Sequence, residues 1–192
     1  FAHLQRLFES SPHFVAKHFR YSKIDPESTN PSREYKNALR KLQQAHLISA
    51  VHVTLANGLP LKDEENEKKF KLLFLDIGLL QNALEIDPAI FTSAQFHQVN
   101  AGTLAEQFVG QELLAYVDCY LDSHLYFWET EKEGNTAEVD YVTNIHGKIV
   151  PIEVKAGKSA HLASLNQFLE KKGLSIGLHI SIKPLGFPNL SF

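Results

Sequence analysis

The stretch that most constrains how this chain can fold is GNTAEVDYVTNIHGKIVPIEVKAGK, residues 134 to 158. Two apolar, β-branched segments, Ala137 to Thr143 and Lys148 to Lys155, flank Asn144, Ile145, His146 and Gly147. The glycine supplies the positive φ that a tight reversal needs, so the segments are expected to pair as an antiparallel hairpin. Alternation along a strand puts Glu138 with Asp140 on one face and Glu153 with Lys155 on one face, while Val150, Ile152 and Val154 turn toward a core. Neighbouring strands lie roughly 4.8 Å apart, which brings Asp140 and Glu153 within reach of one cation. Charges inside VPIEVKA are costly unless paired or functional.

The surroundings of the hairpin follow from periodicity. Gly102 to Val117 reads as an amphipathic helix through Leu104, Phe108, Val109, Leu113 and Leu114, and it carries Glu106. Strands are expected near Leu125 to Glu129 and Ser175 to Ile182, with a helix over His161 to Lys171, giving the order α-β-β-β-α-β. Phosphodiester hydrolysis needs an activated water and neutralisation of growing negative charge, and hard oxygen ligands suit Mg or Mn for that task. Asp140 and Glu153, joined by the backbone carbonyl of Val154, are the expected metal ligands, and Glu106 would serve a second metal or a water on the first. Lys155 would orient or deprotonate the attacking water and stabilise charge on the phosphate. Asp, twelve residues, then Glu-x-Lys is a weak signal by itself. Its weight comes from the hairpin, the apolar flanks and the preceding Glu-bearing helix. The same residues also admit a plainer reading, a salt-bridged cluster on a sheet edge.

The first half has a different grammar. Ser11-Pro12 is expected to start a short helix over His13 to Phe19, and Asn30-Pro31 to start a longer one over Ser32 to Leu47, whose apolar face is Tyr35, Ala38, Leu39, Leu42 and Ala45. Leu47 to Leu55 alternates, a polar loop spans Asn57 to Lys69, and Phe70 to Leu75 returns as a second strand. Helices followed by a ribbon give the order of a winged helix, with Arg33, Lys36 and Arg40 on the outer face as DNA-binding residues and Gln44 one turn on. Any amphipathic helix carries a charged outer face, so the bland alternative stands beside it. The expected domains are 1–90, winged-helix-like, and 98–192, α/β, joined by a linker near 88 to 98.

Composition narrows the class without choosing a function. Hydrophobic residues make up 44% and charged residues 21%, as in an ordinary globular protein. There is no run of 18 apolar residues and no signal peptide at the start, and Cys119 is the sole cysteine, so a cytoplasmic, disulfide-free protein with no membrane partner is expected. Residues 1 to 47 hold eight Lys/Arg against four Asp/Glu, whereas residues 98 to 192 hold seven against eleven. The basic front suits a polyanion, and the acidic back suits a cation. The absence of Met, with an opening that reads as the middle of a helix, leads us to expect a piece of a longer protein.

Six stretches in order, FVAK at 14–17, YSKI at 21–24, KLLFLDIGLL at 71–80, GTLAEQFV at 102–109, AEVDY at 137–141 and PIEVKAG at 151–157, resemble the C-terminal portion of a group of archaeal and bacterial AAA+ ATPases. That portion comprises a winged helix and the domain of unknown function 4143. The resemblance implies a PD-(D/E)XK, restriction-endonuclease-like fold for the second half, and a parent protein whose own AAA+ ATPase domain, the only place ATP would bind, precedes this chain. Gly157-Lys158-Ser159 is no phosphate loop, since Ile152 stands where that motif needs glycine. Relatives with nuclease activity place Gln and Tyr on the helix after the Glu-x-Lys strand; Ser164 and Gln167 are available here for phosphate or substrate, but Lys171 stands where the Tyr would fall. Two functions are therefore expected to compete. One is a metal-dependent nuclease-like module acting on nucleic acid, DNA in the first instance. The other is an inactive nuclease-fold module that binds nucleic acid or a partner protein and regulates the ATPase.

Overall fold

The computed structural model describes residues 1–87, 101–117, 124–130, 137–157 and 162–181. In chain order the elements are α1 (Ala2–Ser10), α2 (Pro31–Gln44), β1 (Ile48–Thr54), β2 (Glu65–Phe74), α3 (Ile77–Ala83), α4 (Ala101–Ala115), β3 (Tyr126–Glu129), β4 (Glu138–Ile145), β5 (Lys148–Lys155), α5 (Ala163–Lys172) and β6 (Leu178–Ser181). The described residues thus form a mixed α/β structure, with five α-helices and one six-stranded sheet in the order β2-β1-β3-β4-β5-β6.

The hairpin forms as expected. Ile145 lies opposite Lys148, and both intervening residues, His146 (φ 50) and Gly147 (φ 76), take positive φ. That is the two-residue reversal whose twist matches the strands it joins. The Asn144 side chain accepts from the Gly147 N–H at 2.9 Å and closes it. Helix α2 also begins where its signals place it: Pro31 opens the first turn, Asn30 Oδ1 accepts from the Arg33 N–H at 3.4 Å, and Tyr35, Ala38, Leu39 and Leu42 are buried.

Two expectations are corrected. The segment 13–19 is not a helix: a 3-10 turn ends at Phe14, Val15 is extended and bridges Leu72, and the Phe19 N–H donates to Phe70 O at 2.8 Å. A fully buried β-branched Val15 gains more along the open edge of β2 than it would in a helical turn. The polar tip of the ribbon is shorter than 57–69, because β2 starts at Glu65; a register shift sets His52 opposite Phe70 and Val53 opposite Asn66, leaving Glu67 to Lys69 without partners on β1. On its other side β1 pairs in parallel with β3. Strands from either side of the expected linker therefore share one sheet. The linker near 88–98 lies outside the described residues.

Three apolar clusters hold these layers together. Leu7, Tyr35, Leu42, Leu72 and Phe74 join α1 and α2 to the ribbon. Val109 of α4 packs in a cluster with Val51, Leu73, Phe127, Tyr141 and Ile152 of the sheet, and Phe168 of α5 in another with Trp128, Val139 and Val142. Helix α4 crosses its face at close range because Gly110 has no side chain: a Cβ there would sit 2.5 Å from the Tyr141 hydroxyl and 2.7 Å from Leu73. Gly110→Ala should therefore destabilise by about 1–3 kcal/mol, even though alanine gains about 1 kcal/mol in helix propensity. Urea denaturation checks this, and an unchanged or raised midpoint would refute the close-approach argument. Among the described residues no helix is long and apolar enough to cross a membrane.

Candidate functional site

Asp140 owes its position to an irregularity in β4. Tyr126 pairs with Val142 and Trp128 with Val139, so two residues of β3 span three of β4. Val139 consequently packs under α5 and Tyr141 under α4, although strict alternation would put both on one face. The register shift falls between Val139 and Val142, at Asp140 and Tyr141, and a bulge there is a device that re-aims side chains. The regular β4–β5 ladder stops at Tyr141 opposite Ile152. Beyond it the Asp140 carboxylate accepts from the Val154 N–H at 2.8 Å, taking the place of a backbone partner.

On β5 the alternation is regular. Val150, Ile152 and Val154 enter the cluster under α4, as expected. Glu153 is 3% exposed; one oxygen is bonded to the Lys155 ammonium, and the other, Oε2, is buried with no hydrogen-bond partner among the described residues. A buried carboxylate oxygen without a donor is rare and costly. Glu106 projects from α4, whose backbone carbonyl at that residue accepts from the Tyr141 hydroxyl at 2.8 Å. Glu106 and Lys155 line a cleft of about 430 Å³ with Ala101, Gly102, Val154, Ala156 and Gly157.

The electrostatics tie these groups together. Burial, then the Asp140 charge, pushes Glu106 up from 4.5 to about 8. Burial also raises Asp140, against the Val154 hydrogen bond and Lys71, and burial followed by Asp140 raises Glu153. Burial would lower Lys155, but Glu153, Asp140 and Glu106 outweigh it and hold it protonated above its usual range. Asp140 is therefore the charge that Glu106 and Glu153 both feel. Its influence does not make a closed three-carboxylate cage: among the described residues the set of three ligand atoms that lie within 4.8 Å of one another comes from His18, Glu129 and Glu138. Those carboxylates already have partners, Lys69 on Glu129 at 3.0 Å, Lys71 on Glu138, and the His18 imidazole at 2.9 and 3.6 Å.

Because the folded-state pKa of Glu106 lies above its ordinary value, the folded protein holds that proton longer than the unfolded chain does. The stabilisation is complete below about pH 4.5 and is lost as pH rises through about 8. At about 1.4 kcal/mol per unit, metal-free protein should lose a few kcal/mol over that window. Glu106→Gln should flatten the decline, as thermal melts at pH 5, 7 and 9 would show; an equally steep decline in the variant would contradict it.

Several participants escape sequence reading. Lys71, 4% exposed, reaches Glu138 and lies 3.8 Å from Glu106, with the Phe127 ring 4.9 Å from its ammonium. Its signal is a lysine interrupting the apolar run FKLLF. Gln107, fully buried, bonds both the N–H and the C=O of Phe74 at 2.8 Å and fixes α4 against the end of β2. Ser164 and Gln167 are half-buried on α5 and do not line the cleft beside Glu106. Lys171 sets its ammonium 5.3 Å from the Trp128 ring centre. Arg33, Lys36 and Arg40 are exposed and line one groove of about 540 Å³ with Tyr21, His52, Phe70 and the acids Glu65 and Glu67; Gln43, rather than Gln44, completes it.

Residues 101–183, which contain the whole β4–β5 hairpin and Glu106, match the family model described as Domain of unknown function (DUF4143). Residues 1–89 match a separate model described as Domain of unknown function (DUF8612). No curated protein and no solved structure matches the chain.

Proposed function

We propose that the end of the sheet around Asp140 is a divalent-cation site of the PD-(D/E)XK kind, and that the chain is a nuclease-like module acting on nucleic acid. The observation that carries this is the orphaned, buried Glu153 Oε2 next to Asp140, both carboxyl groups being pushed toward their protonated forms. Such a pair is unfavourable by itself and fits a hard cation such as Mg or Mn, for which Asp140, Glu153 and the Val154 carbonyl would be the oxygen donors. The cation would neutralise charge that builds on the phosphate during cleavage. Lys155, held protonated, donates to the phosphate oxygens or orients the attacking water rather than removing its proton. Glu106, poised at about 8 in the same cleft, is matched to accept that proton.

Incubation with supercoiled and branched DNA plus Mg²⁺ or Mn²⁺ should give nicks that disappear in Lys155→Ala. Cleavage that survives this change would remove the site from the chemistry. In the same reading the chain is the C-terminal part of an AAA+ ATPase, with a winged-helix-like N-terminal region that presents Arg33, Lys36 and Arg40 to the nucleic-acid backbone. Arg33→Ala with Arg40→Ala should lower the slope of log affinity against log salt by about 2, since each phosphate contact contributes roughly 0.9. An unchanged slope would clear this groove of a role.

A second reading is favoured by one specific observation. Neither Ser164 nor Gln167 lines the Glu106 cleft, and Lys171 is committed to Trp128, so phosphate has fewer partners on that side. An inactive module that binds nucleic acid or a partner protein and regulates the ATPase would need none of them. It predicts affinity for DNA without cleavage in any metal.

A further inference from the structure

We infer that Lys71 is a built-in cation standing in place of a second metal ion, so that the site holds one divalent ion and not two. The inference rests on the cation-site reading above. Lys71 belongs to β2, far in sequence from the hairpin, yet its side chain is 5% exposed and directed into the acidic group from the opposite edge. Its ammonium bonds Glu138, lies 3.8 Å from Glu106, and faces the Phe127 ring at 4.9 Å. Burying a lysine this deeply costs several kcal/mol unless counter-charges surround it. Here they do, and they are the carboxylates that a second divalent ion would need.

Glu138 and Glu129 have further partners of their own. Glu138 Oε2 lies 3.6 Å from His18 Nε2, and Glu129 is divided between His18 at 2.9 Å and Lys69 at 3.0 Å. The set His18, Glu129 and Glu138 is thus satisfied from within the chain and needs no ion. On the far side of Asp140 a fully buried carboxylate oxygen, Glu153 Oε2, has no hydrogen-bond partner among the described residues. The structure therefore assigns Lys71 to positioning: it ties Glu138 and lies against Glu106, and sets a charge of one between them. Compared with a divalent ion, that leaves Glu106 less neutralised and better able to take a proton.

The experiment is a count of bound Mn²⁺ by calorimetry and by electron paramagnetic resonance on the full chain. Wild type is expected to bind one ion, without the spin coupling of a close pair. Lys71→Met, which keeps the length and removes the charge, should bind two, and Lys71→Arg should return the count to one. Two ions in wild type, or one in a folded Lys71→Met, would overturn the inference while leaving the cation site intact. No ion in wild type would instead overturn the site reading itself. Should Lys71→Met fail to fold, as judged by circular dichroism, Lys71→Gln keeps a donor toward Glu138 and is expected to bind two in the same way.

Discussion

Asp140→Asn should lower metal-dependent cleavage by two to three orders of magnitude while raising the melting temperature at pH 8. The two effects have one cause. In the folded protein burial raises the Asp140 pKa above 3.8, so its ionised form is disfavoured relative to the unfolded chain. That contribution to stability is present below about pH 3.8 and is lost as pH rises through the elevated folded-state value, leaving a net cost at pH 8. Asparagine removes the charge, and its side-chain oxygen can still accept from the Val154 N–H. The cluster then loses repulsion without losing its hydrogen bond. For a cation site the same exchange removes a ligand and the negative charge that attracts the ion, and a lost electrostatic element of this kind is commonly worth 10²–10³ in rate. A purely structural salt-bridged cluster predicts the reverse on stability, because Lys71 and Lys155 would each lose an attractive partner. Paired melts and cleavage rates decide between them; a lower melting temperature with unaltered cleavage would defeat the functional reading. Gains in stability on neutralising a residue are the expected mark of groups retained for activity.

The parts of the site that local chemistry dictates were legible, and those that depend on distant elements were not. Asn144 to Gly147 announces the hairpin, and the core-facing Val150, Ile152 and Val154 follow from period-two alternation, as the structure bears out. Alternation breaks at Asp140, because the bulge answers to the pairing of Trp128 with Val139 on a strand whose register no local pattern reveals. Segment 13–19 reads as helical in isolation, yet the exposed edge of β2 recruits Val15. Lys71 sits inside an apolar run, and its counter-charges come from residues 35 and 67 positions away. The acid pair itself was readable because charges in a buried strand are expensive wherever they occur; which cation neutralises which acid was not, since that is settled by how α4 and β2 are brought together.

Gln107→Leu should destabilise the protein by about 2–4 kcal/mol, the largest loss expected from any single apolar-for-polar exchange on α4. Leucine matches the volume, so the packing term is small. What changes is that both backbone groups of Phe74, each now bonded to the Gln107 amide at 2.8 Å, lose their partner in a position that water does not reach. An unsatisfied buried backbone group costs about 1–3 kcal/mol, and two are exposed to that penalty at once. Burial of the leucine methyls returns part of it, which sets the lower end of the range. The neighbouring Gln111, whose Oε1 accepts from the Ile77 N–H at 2.7 Å, ties the next turn of α4 to α3 in the same manner. Together the two glutamines fix the rotation of α4, and Glu106 precedes the first of them directly. A loosened α4 should therefore move Glu106 relative to Lys71 and Asp140 and bring its pKa back toward 4.5. Denaturant midpoints measure the first effect, exchange of the Phe74 amide proton locates it, and carboxyl titration by NMR reads the second. Full stability together with a protected Phe74 amide in the variant would mean that another group had replaced the glutamine, and the claim that α4 is registered by this amide would fail.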